Sequence, residues 1–149
     1  MLEKRLISIS QPALISVIKD IEKNNQLEIE QDERFATYAN KILKEEMLIN
    51  FNSRAHIIEK KIRAFYPKYS TRFVLGENIV KVSESEVLQK ITSKKPGEIL
   101  SITNLGLDIS TQDFILRLTK IQFPGKRMLK IEEILKGNKG ILKYVKRSL

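Results

Sequence analysis

Cysteine is missing from this chain of 149 residues, histidine occurs once, at His56, and the six glycines and four prolines are scattered. Without cysteine there is no disulfide, no thiolate metal site and no cysteine nucleophile, a composition that suits a reducing compartment. One imidazole excludes a multi-histidine metal site. The chain has no G-x-S-x-G elbow, no Walker loop and no dinucleotide fingerprint. Glu28, Glu30, Asp32 and Glu33 form an acidic cluster, but they lack the glycine and the oxygen spacing of a calcium loop and read as carboxylates at a helix start. No window approaches the roughly 18 apolar residues of a membrane helix, and Met1-Leu2-Glu3-Lys4-Arg5 lacks the apolar run of a signal peptide. These absences predict a protein of the cytoplasm, or of the nucleus if its source has one, with no membrane partner. They also predict no catalytic residue, no metal and no cofactor.

What is present is apolar content of 42%, enough for a core, and a net charge of +9. The length predicts a single domain over 1–149, and a sub-domain boundary, if there is one, falls near 67–71 or near Lys94–Gly97. The charge is confined to two blocks. Residues 1–59 hold eight basic and ten acidic side chains, and residues 73–116 hold four and six. Residues 60–72 carry Lys60, Lys61, Arg63, Lys68 and Arg72 with no acid, and residues 117–149 carry ten basic residues against Glu132 and Glu133. Concentrated cations of this kind read as a polyanion footprint.

Periodicity predicts an α+β fold, predominantly helical. Lys4 to Ser10 alternates as a short strand, and Ser10 with Pro12 opens a helix carrying Leu14, Val17, Ile18 and Ile21. A second helix is predicted over about 32–48, on Phe35, Ala39, Ile42, Leu43 and Met47. A third follows Ser53, with Ile58, Ile62 and Phe65 as its stripe, and Pro67 ends it. A β-hairpin over about 71–82 turns at Gly76-Glu77-Asn78. Several short helices complete the chain: one capped by Ser83-Glu84-Ser85-Glu86, one from Ser110 on Phe114, Ile115, Leu118 and Ile121, and one over about 126–136. A further strand is predicted over Glu98 to Thr103.

The segment from Lys60 to Phe73 interleaves its five cations with Phe65, Tyr66, Tyr69 and Phe73. Cations neutralise phosphates and flat rings stack on unpaired bases. The predicted phosphate contacts are Lys60, Lys61, Arg63, Lys68 and Arg72, with Tyr66 and Tyr69 as stackers and Phe73 in the core. Lys126, Arg127, Lys143, Lys146 and Arg147 form a second group. His56, Lys60 and Arg63 fall on one side of the third helix.

Lys4-Arg5-Leu6-Ile7-Ser8-Ile9-Ser10 followed by a helix resembles the opening of ribbon–helix–helix repressors, over at most residues 1–48. The resemblance implies an obligate dimer whose Arg5 and Ser8 face DNA. The helix pair and hairpin over 32–82 also resemble winged-helix DNA-binding domains. The function expected is therefore non-enzymatic nucleic-acid binding, DNA more than RNA, by a regulator or accessory factor for transcription, replication or mobile-element maintenance. Two alternatives stay open: a protein-interaction module docking its basic surface on an acidic partner, and a small nuclease using His56. An unpaired N-terminal strand also predicts a homodimer.

Overall fold

In the computed structural model, residues 2–25 and 29–137 are described, and they divide into two compact units, 1–40 and 41–149. The first unit contains helix α1 (Leu2–Glu22) and a 3₁₀ turn at Glu33–Phe35. The predicted strand at Lys4–Ser10 is the first part of α1. Its serines turn back onto the helix: Ser8 Oγ donates to the Arg5 carbonyl at 2.8 Å and Ser10 Oγ to the Ile7 carbonyl at 3.0 Å. Such back-bonds to the preceding turn are those of serines inside a helix, so Ser10 lies within α1 and does not cap it. Pro12 lies inside the helix, so one i→i−4 bond is missing there. With no strand at residues 4–10, the ribbon–helix–helix resemblance and the dimer argued from strand pairing lose their basis.

The predicted helix over 32–48 is two 3₁₀ turns, Glu33–Phe35 and Glu45–Met47. Local side chains close both. Asp32 accepts from the Arg34 amide at 3.0 Å and grips the Arg34 guanidinium, and Glu46 accepts from the Leu43 amide at 2.7 Å. Carboxylates that satisfy nearby amides in this way compete with the helical ladder.

The second unit is built on an antiparallel sheet in the order β1-β2-β5-β4-β3, with a short β6 added to β5. Its strands are β1 (Thr71–Leu75), β2 (Asn78–Leu88), β3 (Ile99–Thr103), β4 (Gly106–Ser110), β5 (Ile115–Gln122) and β6 (Leu129–Lys130). Two helices complete it, α2 (Ala55–Phe65) and α3 (Ile131–Gly137). Six strands against three helices among the described residues correct the expectation of a predominantly helical fold, and the winged-helix resemblance goes with it. The 67–71 stretch lies inside this second unit.

The β1–β2 hairpin pairs Leu75 with Asn78, leaving Gly76-Glu77 as a two-residue loop. Gly76 sits at φ 59°, the positive φ that glycine adopts at the first position of a II′ turn. β2 then continues through the segment read as a capped helix, with register shifts between Val82 and Glu84 and between Glu84 and Ser85. Ser110 opens no helix; β5 occupies 115–122 in its place, and 126–136 holds only β6 and α3. The core joins Ile58 and Ile62 of α2 to Phe73, Val80, Val82, Leu107, Ile109, Leu116, Leu118 and Ile121 of the sheet, with Ile131 and Ile134 of α3. Gly106 is sterically required: an added Cβ would lie 2.5 Å from Arg117 Cγ and 2.8 Å from the Leu118 carbonyl oxygen. Among the described residues no helix is long and apolar enough to cross a membrane.

Candidate functional site

α2 carries the first basic block. Its N-terminus is held from a distance: Asp113 Oδ1 accepts from the Ala55 amide at 2.8 Å, from the Phe114 amide at 2.8 Å and from the Thr111 hydroxyl at 3.3 Å. Burial works against the charge on this carboxylate, but its hydrogen-bond donors outweigh that and hold Asp113 below the usual aspartate value. Ala55, Ile58 and Ile62 face the core, which turns Lys60 and Arg63 outward as exposed side chains. His56 is also exposed and meets Phe114 edge-on at 6.3 Å.

The five cations of 60–72 are not equivalent. Lys61 Nζ donates to the Leu48 carbonyl at 2.9 Å and an Arg72 Nη donates to the Lys44 carbonyl at 2.6 Å. Both therefore tie the chain entering the domain to α2 and β1. Arg63 pairs loosely with Glu59, at 3.7 Å one turn back. Lys60 is exposed, and Lys68 lies 5.8 Å from the centre of the Tyr69 ring, a cation–π distance. Tyr66 is 41% exposed, Tyr69 is also exposed, and Phe65 meets Tyr69 edge-on. Phe73 is buried in the core. Lys60, Arg63, Tyr66, Lys68 and Tyr69 thus form one exposed stretch along the end of α2 and the loop after it.

The sheet assembles a second group, in which Lys81, Lys120, Gln122 and Lys130, not singled out in sequence, join Arg72, Lys126 and Arg127, which were. Register places Arg72, Lys81 and Gln122 side by side across β1, β2 and β5. Their neighbours in sequence, Thr71, Phe73, Val80, Val82, Ile121 and Phe123, are buried, so alternation turns this row to the opposite face. Gln122 Nε2 donates to the Lys126 carbonyl at 2.6 Å, holding the exposed Lys126-Arg127 turn beside that row. Lys120 and Lys130 are paired in register on β5 and β6. Glu84 lies 3.1 Å from Lys120 Nζ, and that contact raises the lysine above its ordinary value. Strand alternation would have exposed Lys81 as an outward residue; Lys120 was hidden by reading its strand as a helix. Lys143, Lys146 and Arg147 lie outside the described residues.

Arg117 has a different job. It meets Asp108, its register partner on β4, through two bonds of 2.6 and 2.9 Å, and the carboxylate raises the guanidinium above its ordinary value. Ser101 Oγ completes the set on Asp108 at 3.0 Å. A two-pronged, largely buried pair of this kind locks β4 to β5. Among the described residues no three His, Cys, Asp or Glu side chains gather as metal ligands would.

Residues 41–139 match the family described as formyl transferase, C-terminal domain, which covers the sheet unit nearly end to end. The chain belongs to that family. It is 35% identical over 136 residues to the methionyl-tRNA formyltransferase of Buchnera aphidicola subsp. Schizaphis graminum, covering 91% of this chain and 43% of that protein. To the methionyl-tRNA formyltransferase of Francisella tularensis subsp. tularensis it is 40% identical over 130 residues, covering 87% and 41%. The chain therefore spans about two fifths of the length of these curated relatives. The fold is also that of part of HypX from Aquifex aeolicus. A variant of HypX superposes with a TM-score of 0.63 at 16% identity, covering 87% of this chain and 23% of that one. HypX in complex with tetrahydrofolic acid gives 0.62 at 15%, covering 82% and 22%.

Membership of a formyl transferase family overturns the expectation of a non-enzymatic DNA-binding regulator, and with it the alternatives of an acidic-partner docking module and a small nuclease. The named relatives are enzymes acting on a tRNA, so DNA as the preferred partner is corrected as well. The error had a physical source. A basic surface reports that a polyanion binds, but phosphate contacts carry little information about which nucleic acid supplies the phosphates.

Proposed function

We propose that this chain is the tRNA-holding portion of a methionyl-tRNA formyltransferase of the cytoplasm, and that the formyl group is transferred by the part of such an enzyme that this chain does not match. Family membership at 35–40% identity to enzymes of that name carries the reading. Two basic surfaces on a rigid sheet support it. One runs from Lys60 and Arg63 through Lys68, with Tyr66 and Tyr69 as rings for unpaired bases. The other is the Arg72–Lys81 row with the Lys126-Arg127 turn. Lys61 acts mainly through the Leu48 carbonyl, and Arg72 divides its role between the Lys44 carbonyl and the phosphate surface. Lys143, Lys146 and Arg147 extend the same charge in sequence. A domain with these features recognises tRNA by shape and phosphate positions and presents its acceptor end to the chemistry.

The test is fluorescence anisotropy with initiator methionyl-tRNA and a duplex DNA of equal charge at two salt concentrations. The expected result is tighter binding to the tRNA at physiological salt, with log affinity falling linearly against log salt. Replacing Lys60, Arg63 and Lys68 by alanine should flatten that slope by up to about 2–3, since each phosphate contact contributes roughly 0.7–0.9. Equal affinity for DNA and tRNA, or an unchanged slope in the triple variant, rejects the reading.

A further inference from the structure

α1 gathers its apolar residues on one side. At about 100° per residue, Leu6, Ile9 and Val17 form one flank of an arc and Ile7, Leu14 and Ile18 the other, and all six are 48–63% exposed. The arc takes in about half the circumference, wider than the narrow seam of a coiled coil and suited to a helix laid on a core. Of the charged side chains only Glu3 and Asp20 enter the arc, at its two ends. Ser10 falls between the flanks, and its hydroxyl is already bound to the Ile7 carbonyl, so it can be covered without an unmet hydrogen bond. The opposite side needs water. Pro12 has no N–H to offer the Ser8 carbonyl, and both residues lie away from the arc, where solvent supplies the missing donor.

Three kinds of occupant compete for such an arc: a membrane surface, a polyanion and a protein. Charge decides against the first two. α1 carries Lys4, Arg5 and Lys19 against Glu3, Asp20 and Glu22, so it has no net charge to draw it to anionic lipid or to phosphate. Similarity then narrows the protein. The family match covers 41–139, so α1 stands outside the sheet domain. The similarity to the Buchnera enzyme takes in 136 of the 149 residues and cannot omit all 21 residues of α1. It covers only 43% of that enzyme, so more than half of the enzyme lies beyond it. A helix that is shared with a formyltransferase, stands outside the sheet domain and has no apolar layer in its own unit belongs against the remainder of the enzyme.

We propose that the apolar arc of α1 is the surface on which the formyl-transferring part of the enzyme, the part outside this chain, docks. Leu6, Ile9, Leu14 and Ile18 then fill the apolar layer that the isolated helix lacks, while Lys4, Lys19 and Pro12 stay in water. The inference rests on reading the chain as the tRNA-holding portion of a formyltransferase. It puts the joint on α1 and leaves the cations of the sheet unit free for tRNA.

The full chain is mixed with the part of the Buchnera enzyme that it does not match, and the two are also joined as one polypeptide. Sedimentation velocity should show a one-to-one complex in the mixture. Hydrogen exchange should show α1 amides protected about tenfold or more over the chain alone, in the complex and in the joined form. Leu14→Ala/Ile18→Ala should weaken the complex about a hundredfold, about tenfold for each anchor, with the melt of the sheet unit unchanged. Lys4→Ala/Lys19→Ala, on the polar side, should stay within about twofold. If the chain alone sediments as a dimer that the apolar variant dissociates, the occupant is a second copy. If it binds phosphatidylglycerol vesicles through α1, the occupant is a membrane, and either result overturns the proposal. So does an apolar variant of wild-type affinity, or an α1 that gains no protection even in the joined form. Anisotropy with initiator methionyl-tRNA keeps the two readings apart. Docking without tRNA binding rejects the tRNA reading alone, and tRNA binding with no added protection of α1 in either form rejects the docking alone.

Discussion

α1 and α2 are both amphipathic in sequence, yet only one of them has a core. α1 runs for 21 residues and buries none of them: Leu6, Ile7, Ile9, Leu14, Ile15, Val17, Ile18 and Ile21 all stand exposed. α2 is half as long, and its Ala55, Ile58 and Ile62 are at most 2% exposed. The difference lies in what faces each helix. Ile58 and Ile62 meet a sheet already lined by Phe73, Val80 and Val82, whereas the apolar residues of α1 have no such layer in their own unit. Helical periodicity is a local property; burial requires a second surface.

This comparison breaks most sharply under truncation of the two stripes. Ile62→Ala should destabilise the sheet unit by about 2–5 kcal/mol, measured by urea unfolding followed by circular dichroism. Ile18→Ala should change the same midpoint by no more than about 0.5 kcal/mol, the usual effect of a substitution that removes no buried contact. A large loss from Ile18→Ala would mean that α1 has a core of its own.

A second contrast lies between a residue that packs tightly and one that caps. Gly106→Ala should cost about 1–3 kcal/mol, since its Cβ has to displace Arg117 and the Leu118 carbonyl. Circular dichroism melts would show it, and loss of the Asp108–Arg117 pair should accompany it. Asp113→Ala removes the acceptor at the start of α2 and should cost about 0.5–2 kcal/mol.

The pH dependence of that cap sharpens the comparison further. Asp113 is held below its ordinary value of 3.8 in the folded protein, so the folded state binds its proton less readily than the unfolded chain. Its contribution is complete above that ordinary value and is lost as pH falls through the lower folded value. Wild type should therefore lose stability more steeply than Asp113→Asn as the pH falls below about 4. Identical acid limbs in denaturant melts would remove Asp113 from the account of α2. The smallest effect belongs to the exposed cations: Lys60→Ala and Lys68→Ala should each leave the thermal midpoint within about 0.5 kcal/mol of wild type, while altering the salt slope of tRNA binding.

Particular segments show why some of the fold was legible in sequence and some was not. The 71–82 hairpin was visible because a glycine turn between two β-prone runs is a local signal, complete within twelve residues. The strand at 115–122 was not. β5 has its own irregularity, Thr119 being unmatched between Leu118 and Lys120, so Leu116, Leu118 and Ile121 fall at spacings of two and then three, and with Phe114 they imitate a helical stripe. Ser83-Glu84-Ser85-Glu86 reads as a capping box for the same reason; only its pairing with Arg117, Leu118 and Lys120 on β5 shows it to be a strand. The exposed part of the basic surface was legible as charge, but its division into Lys60, Arg63 and Lys68 on one side and the backbone-tied Lys61 and Arg72 on the other depends on where the Lys44–Leu48 segment passes.

The amino-acid sequence by itself determined the chemistry this protein can bring to bear: no thiol, one imidazole, a core's worth of apolar residues and two dense blocks of cations. It also determined those elements whose signals are complete over a few residues, α2 and the first hairpin. Tertiary structure alone decided which serines of β2 turn inward without partners, which cations hold the chain and which face outward, and that 115–122 is a central strand. Each of these depends on residues 13 to 41 positions apart in the chain, and strand pairing, bulge phase and hydrogen-bond satisfaction exist only once those distant residues meet.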